Sequence, residues 1–594
     1  MSLVNNRSGP HSVQMNPLSV TNSISGHSWK WRSGVGPGDD LIAGLLLARG
    51  CRPDEIDAHR MPTLRGFMPN PSMFRDMDVA AIRLADAVER EEAVTVFGDY
   101  DVDGATSAAL LIRLLRGLGL NPQAYIPDRL MEGYGPSGEA LVKIAAGGAS
   151  LIITVDCGAQ AFEALASARE ANIDVIVVDH HKCAAELPLA LALVNPNRLD
   201  EGEGAAHGHL AAVGVAFLLG AALLRELRAR EFFATRSQPR LVELLDLVAL
   251  GTVADVAALT GLNRAFVTQG LKIMGAGRNL GLEALLAISR LKRAPQCSDL
   301  GFALGPRINA GGRVGKSDLG VRLLTTEDPA EAADIAAELD RLNEERRTIE
   351  ASVQAEAEAI AVTKGNRAVA VIAGRGWHPG VIGIVAGRLK EKLGRPAIVI
   401  ALDDTGAGKG SGRSISGVDL GAAILAAKEK GLLAAGGGHA MAAGLTVSED
   451  RLDEFAEFME ERLAADVARA SGDRALLLDI VVSCGGVTPS LVEALEGAGP
   501  YGMGWPSPRV AAGPMRVIKS DIVGSGGHVR ALMQGDDGRS LKVVAFRSAD
   551  TALGQALLAA PRDRRLWVTG RAKIDDWGSR PAAELHVDDA AWCD

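Results

Sequence analysis

The chain has 594 residues, 47% hydrophobic, 4% aromatic and 23% charged, too long for a single core and apolar enough for several packed domains. Its net charge of −10 excludes a uniformly basic nucleic-acid binder, so any polyanion groove has to gather its cations locally. No run of about 18 uncharged apolar residues predicts a membrane span. Six scattered cysteines without a CxxC pair argue against zinc ribbons and disulfide scaffolds and suit a reducing, cytoplasmic compartment.

Residues 1–36 are polar, lack an apolar core of signal-peptide length, and read as a disordered tail. Residues 37–77, with "GDDLIAGLLLARG" and Pro-punctuated segments, read as a helical lead-in. From 78 to 326 short apolar strands ("AVTVFG", "PQAYIPD", "SLIITVD", "IDVIVVD") alternate with helical stretches, which predicts a parallel, doubly wound α/β domain. Residues 327–362 are dense in helix formers and predict one long charged helix bridging two domains. A second α/β domain is expected over 363–470. The Val- and Gly-rich remainder, 471–594, predicts a small β barrel or sandwich.

Acidic residues fall where the strands end. Asp99, Asp101 and Asp103 follow "VTVFG", Asp156 ends "LIITVD", and Asp179, His180 and His181 end "IDVIVV". In a parallel sheet these ends share one edge, where ligands bind. Asp255 in "LGTVADVAAL" follows an apolar helix. Singly, such an Asp is most often a helix cap or turn residue, but this many carboxylates on one edge are costly without a counter-ion. Carboxylates with one or two imidazoles and no thiolate suit Mn²⁺ or Mg²⁺. Several bridging-capable carboxylates predict two ions, an arrangement suited to phosphoryl transfer.

"GDYDVDG", "ITVDCG", "VDHH" and "GTVADV" resemble, in this order, the motifs of the DHH phosphoesterase superfamily. "GWHPGVIGIVAGRL", "GSGRS" and "GGGHAMAAG" resemble its associated C-terminal domain, DHHA1. "IPDRLMEGYGPS", "GPRINAGGRVG" and "YGMGWPSP" resemble the RecJ family of single-strand-specific exonucleases, over about residues 40–594. The resemblance implies two α/β domains joined by the long helix around a cleft, with an OB-like barrel at the C-terminus. It implies a 5′→3′ exonuclease on single-stranded DNA, in repair and recombination. Asp101, Asp103, Asp156, His180 and Asp255 fall on the family's metal-ligand positions. Asp99 is assigned a supporting role, and His181 acts on the scissile phosphate or leaving oxygen as donor or general acid. Phe97 stands where the superfamily's pyrophosphatases carry a histidine, which argues against that branch.

For the substrate, Arg129 with Ser411 and Arg413 resembles a pocket for the 5′-terminal phosphate, reasonable for planar paired donors beside glycines. "GAGKGSGRS" lacks the Ser or Thr that follows the lysine of an ATP-binding loop, so Lys409 is not read as one. Arg307, Asn309 and Arg313 lie on a Gly-rich segment near the domain junction, whose bland alternative is a tight interdomain turn. His439 sits among small residues that permit close approach of a sugar–phosphate chain. Trp505 stands where the family's pattern has Asn, which puts the local turn chemistry in question, and is a candidate to stack a base, while Trp567, Trp577 and Trp592 equally suit the core. A monomer is expected, and cooperation with a single-strand-binding protein or a helicase is left open. Two competing readings are a DHH-type hydrolase of short oligonucleotides or cyclic dinucleotides, and a non-catalytic DNA-binding scaffold.

Overall fold

The computed structural model describes residues 18, 20–32, 40–128, 132–133, 135–291, 293–472, 475–524, 526–575 and 581–593. The chain divides into two compact units, one comprising residues 68–258 and 265–473, the other the rest of the described chain.

The first unit opens with strands β1 (Val94–Gly98), β2 (Gln123–Tyr125), β3 (Leu151–Val155), β4 (Asp174–Val178) and β5 (Ala192–Val194). They form an all-parallel sheet in the order β2-β1-β3-β4-β5. Every residue of β1 and β3 is buried, as continuous apolar runs require in a sheet covered on both faces. Helix α1 is Met77–Glu89, α2 Val102–Gly117, α3 Ala212–Ala229 and α4 Leu245–Ala254. Helix α2 packs against both α3 and α4. From β1 the chain moves to one side for β2 and to the other for β3. The C-terminal ends of β1 and β3 therefore flank the switch point of the sheet, the place where such folds bind ligands.

Residues 305–314 form helix α5 (Gly305–Val314), not a turn. Helix α6, Pro329–Thr363, is 35 residues long; Asp328 caps it by accepting the Ala330 N–H, and Pro329 occupies its first turn. Its N-terminal half buries Ile335, Leu339 and Leu342. Its C-terminal half places Val353, Ala357 and Ala361 in a core with Ile372, Val385, Leu389 and Val399. One helix thus belongs to the cores of both α/β domains. The second domain is a mixed sheet of β6 (Ala370–Arg375), β7 (Ala397–Leu402), β8 (Ala407–Arg413), β9 (Ala435–His439) and β10 (Ala442–Ser448), ordered β9-β10-β8-β7-β6, with only β6 and β7 parallel.

In the second unit, strands β11 (Ile480–Val482), β12 (Val510–Val523), β13 (His528–Gly535), β14 (Ser540–Ala545), β15 (Leu566–Asp575) and β16 (Ala582–Trp592) build the predicted barrel. β12, β13, β14, β16 and β15 follow one another, and β15 pairs back onto β12 to close a five-stranded barrel of OB type. Met515, Val529, Met533, Val543, Leu566 and Leu585 fill it. Part of the expected tail is ordered: Ser28–Trp31 is a strand pairing in parallel with Ala475–Leu478. Trp29 is the reason. It is buried, and its Nε1 donates to Asp589 Oδ2 at 2.9 Å. Trp505 is also buried: Nε1 donates to the Ala498 carbonyl at 3.0 Å, the His59 ring lies 4.4 Å away, and the Arg49 guanidinium sits 4.8 Å over its face. It is a packing residue of this unit, not an open stacking platform. Trp577 lies outside the described residues.

Trp29→Ala is expected to lower the stability of the barrel by about 3–5 kcal/mol. Hydrogen exchange of β12 and β16 in the full chain checks this; unchanged protection there would show that Ser28–Trp31 adds nothing to the barrel.

Candidate metal centre and nucleic-acid cleft

After β1 the chain turns sharply into α2. Asp101 caps that helix, accepting the Gly104 N–H at 3.1 Å. A Cβ on Gly104 would fall 2.4 Å from the Asp99 carbonyl oxygen, so only glycine lets the helix start so close to Asp99. Asp103, in the first turn, is buried, and its two oxygens accept the N–H groups of Ala212 at 2.7 Å and Val213 at 2.9 Å, where α3 begins. Two helix N-termini, each with a positive dipole end, hold this carboxylate in place. Gly251 of α4 makes room for it, since a Cβ there would lie 3.0 Å from Asp103 Oδ1 and 2.3 Å from Thr106 Oγ1.

Asp156 leaves β3 in the left-handed region, with φ of 60°. Asp255 ends α4, and the next residue, Val256, also has φ of 60°, a strained conformation for a β-branched residue and one that clusters at functional sites. Asp179, at the end of β4, gathers the two histidines. Its Oδ1 accepts the N–H groups of His180 (2.7 Å) and His181 (3.1 Å) and the His181 Nδ1 proton (2.8 Å). His180 Nδ1 lies 3.1 Å from the Leu210 carbonyl. A carbonyl only accepts, so Nδ1 carries the proton and Nε2 presents a lone pair.

That lone pair points at acceptors. His180 Nε2 lies 3.3 Å from Asp156 Oδ1 and 3.9 Å from Asp103 Oδ2, is buried, and has no hydrogen-bond partner among the described residues. Three sets of donor atoms each converge within 4.8 Å: Asp99, Asp101 and Asp156; Asp103, His180 and Asp255; and Asp156, His180 and His181. Burial raises the Asp103 and Asp156 carboxyls well above the ordinary range, and neighbouring carboxylates add to it. Burial, with Asp101 beside it, lifts Asp255 to about 7. Burial and the nearby His181 hold His180 near 4, hence neutral. His181 goes the other way: burial opposes its charge, but the Asp179 hydrogen bond and charge outweigh this and raise it to about 9. Buried acceptors facing one another in this way fit a divalent cation with oxygen and imidazole ligands.

The cluster forms one wall of a cavity of about 660 Å³, to which Asp99, Asp101, Asp156, His181 and Asp255 contribute. Lys409, Ser411 and Arg413 of the second domain line it as well. Arg413 donates to Ser411 Oγ at 3.0 Å. Arg313 also reaches the cavity and donates to the Gly380 carbonyl at 2.9 Å. Arg307 and Asn309 do not join it. On a helix the six-residue step from Arg307 to Arg313 turns the side chain by about 120°, and Arg307 instead pairs with Asp340 of α6 at 2.8 Å. Asn309 is half-buried on α5 and lines neither this cavity nor the neighbouring one. His439 lines that second cavity, which also contains His181. Arg129 lies outside the described residues.

Sequence reasoning left out three residues of the site. Lys409 alternates with Ser411 and Arg413 along β8, and the two-residue period of a strand puts all three on one face; that alternation was the available signal. Asp179 was visible as a strand-end acid, but its hold on His180 and His181 is a tertiary fact. Tyr100, which lines the cavity beside Asp99 and Asp101, carried no signal beyond its place in the motif.

The DHH family N-terminal domain model matches residues 93–252, the DHHA1 domain model 365–465 and the RecJ OB domain model 478–589, so the class is that of DHH phosphoesterases. The chain is 40% identical over 527 residues to the single-stranded-DNA-specific exonuclease RecJ of Dickeya dadantii, covering 86% of this chain and 90% of that protein. It is 38% identical over 533 residues to RecJ of Escherichia coli, again with 86% and 90% covered. The crystal structure of Thermus thermophilus RecJ in complex with Mn²⁺ superposes with a TM-score of 0.76 at 30% identity, covering 93% of this chain and 75% of that one. The chain belongs to the RecJ family.

The raised carboxyls predict how metal and pH interact. Asp103, Asp156 and Asp255 ionise at higher pH in the folded chain than in the unfolded one. Without a cation, the stability these three groups contribute is therefore fully present below the ordinary carboxylate value of about 3.9 and is lost as pH rises through the folded values. Mn²⁺ competes with those protons, so it is expected to raise the melting temperature of the full chain more at pH 8 than at pH 5. Equal shifts at both pH values would remove these carboxyls as ligands.

Proposed function

We propose that this chain hydrolyses single-stranded DNA from its 5′ end, releasing nucleotides by metal-assisted attack of water on the phosphodiester. One observation carries this reading: the buried acidic and histidine cluster shares a single cavity with the cationic residues of β8, so that the reacting centre and an anion grip face the same space. The family relationship supports it, since the relatives are named as single-stranded-DNA-specific exonucleases and Thermus thermophilus RecJ binds Mn²⁺ or Mg²⁺.

Asp99, Asp101 and Asp156 would hold one Mn²⁺ or Mg²⁺, and Asp103, His180 and Asp255, with Asp156 shared, a second. Asp99 thereby ligates directly, where the resemblance gave it a supporting role. Bound there, the two ions would supply Lewis acidity that activates the attacking water and offsets charge on the leaving oxygen. Leu210 holds the tautomer of His180 that makes it a ligand. Asp179 keeps His181 oriented and protonated, so that Nε2 donates to the scissile phosphate or the leaving oxygen. Ser411 and Arg413, joined by Lys409 and by Arg129 of the resembling motif, grip the 5′-terminal phosphate through paired donors. The OB barrel adds affinity for the single strand.

Every ligand in this scheme comes from one chain, so a monomer suffices. Six cysteines with no disulfide between them suit action in the cytoplasm. A single-strand-binding protein or a helicase would present such a strand in repair. The barrel disfavours the short-oligonucleotide reading, and a complete ligand set disfavours a scaffold.

A 5′-phosphorylated single strand labelled at its 3′ end should shorten from the 5′ end with Mn²⁺ while the matching duplex persists. Asp103→Ala should abolish that shortening, and His181→Ala should slow it by about 10²-fold or more. Hydrolysis restricted to dinucleotides would move the chain to the short-oligonucleotide branch. Tight binding without hydrolysis would favour the scaffold.

A further inference from the structure

A second cavity of about 710 Å³ meets the first at His181, which lines both. Asp179, Lys182 and His439 also border it, while the segments Gly135–Gly138 and Gly158–Ala164 contribute mostly small residues. Of the three larger ones, Gln160, Phe162 and Glu163, Phe162 alone is aromatic. It is the first residue of the helix Phe162–Glu170, is 40% exposed, and lines this cavity. A large aromatic ring open to solvent beside a polyanion site is a surface on which a nucleobase can stack.

Building on the function proposed above, we infer that this cavity receives the base of the 5′-terminal nucleotide, stacked on Phe162. Both phosphates of that nucleotide have their places in the first cavity, the terminal one at Ser411 and Arg413 and the scissile one at the acidic cluster. Its sugar spans the two, and its base has to project out of that cavity. The second cavity adjoins at His181, beside the scissile position, and offers the space. Lys182 offsets the sugar–phosphate charge at its border, His439 offers a ring nitrogen for a hydrogen bond, and among the described residues Glu163 is its one carboxylate besides Asp179. Phe162 then acts as a specificity residue. Because every base has a π-face, it accepts all four, and it discriminates against a terminus that lacks a base.

The test measures equilibrium binding of dTMP and of the baseless 1,2-dideoxyribose 5-phosphate to the full chain with Mn²⁺. Wild type is expected to bind dTMP about tenfold more tightly, within the range of base-on-aromatic stacking. Phe162→Ala should shrink that gap to about twofold or less, and Phe162→Trp should keep it. A normal metal-induced rise in melting temperature establishes that the Ala variant is folded. In parallel, 5′-phosphorylated strands carry an abasic residue at position 1 or position 2. Slower first cleavage confined to position 1, and absent from Phe162→Ala, supports the inference. A gap unaffected by Phe162→Ala, or a loss confined to position 2, overturns it. The binding arm needs no hydrolysis, so a Phe162-dependent gap in a chain that shortens no strand would sink the exonuclease reading and still support the base pocket.

Discussion

The site is organised by a repulsion. His180 is neutral and gives its only proton to the Leu210 carbonyl, so its other nitrogen brings a lone pair to within 3.3 Å of the Asp156 carboxylate. Asp103 stands behind, its charge held by the first turns of two helices. A fold that buries acceptors against acceptors is stable only with protons or a cation between them, and these carboxyls hold their protons to higher pH than exposed ones until a cation takes their place. The glycines at 104 and 251, the left-handed Asp156 and the strained Val256 all serve that approach. None of them would be needed by a sheet edge that merely ended in polar turns.

The two histidines that follow one strand end in opposite states. Asp179 accepts from His181, which makes that ring cationic, while His180, turned toward a carbonyl and away from water, stays neutral. One ring is thereby shaped as a ligand and the other as a donor. The difference arises from which oxygen each Nδ1 meets, a carboxylate in one case and a peptide carbonyl in the other.

The face opposite the acids depends on α6. Its first half packs in the catalytic domain and its second half in the domain that carries Lys409, Ser411 and Arg413. Continuous i→i+4 hydrogen bonds over 35 residues make it a stiff connection. The spacing between the acidic cluster and Lys409, Ser411 and Arg413 is thus a property of one helix and not of a loop.

Much of this was legible in the chain itself. Continuous apolar strands set a parallel sheet, parallel order put Asp99, Asp101, Asp103, Asp156, His180 and His181 on one edge, and an uninterrupted run of helix formers marked α6. Those inferences rest on local periodicity, which needs no knowledge of what packs where. Only the tertiary structure decided the rest. The Gly-rich stretch 305–314 is a helix packed on α6, so Arg307 faces Asp340 instead of the cavity. Trp505 was drawn inside its unit by His59 and Arg49, residues more than 440 positions earlier. Trp29 ordered part of an apparent tail by reaching Asp589. The protonation states of His180 and His181 likewise depend on partners, Leu210 and Asp179, that strand-end chemistry alone does not reveal. Pattern in the chain determined the elements and the edge they share; the direction in which each side chain points, and what it meets there, required the contacts between segments far apart in sequence.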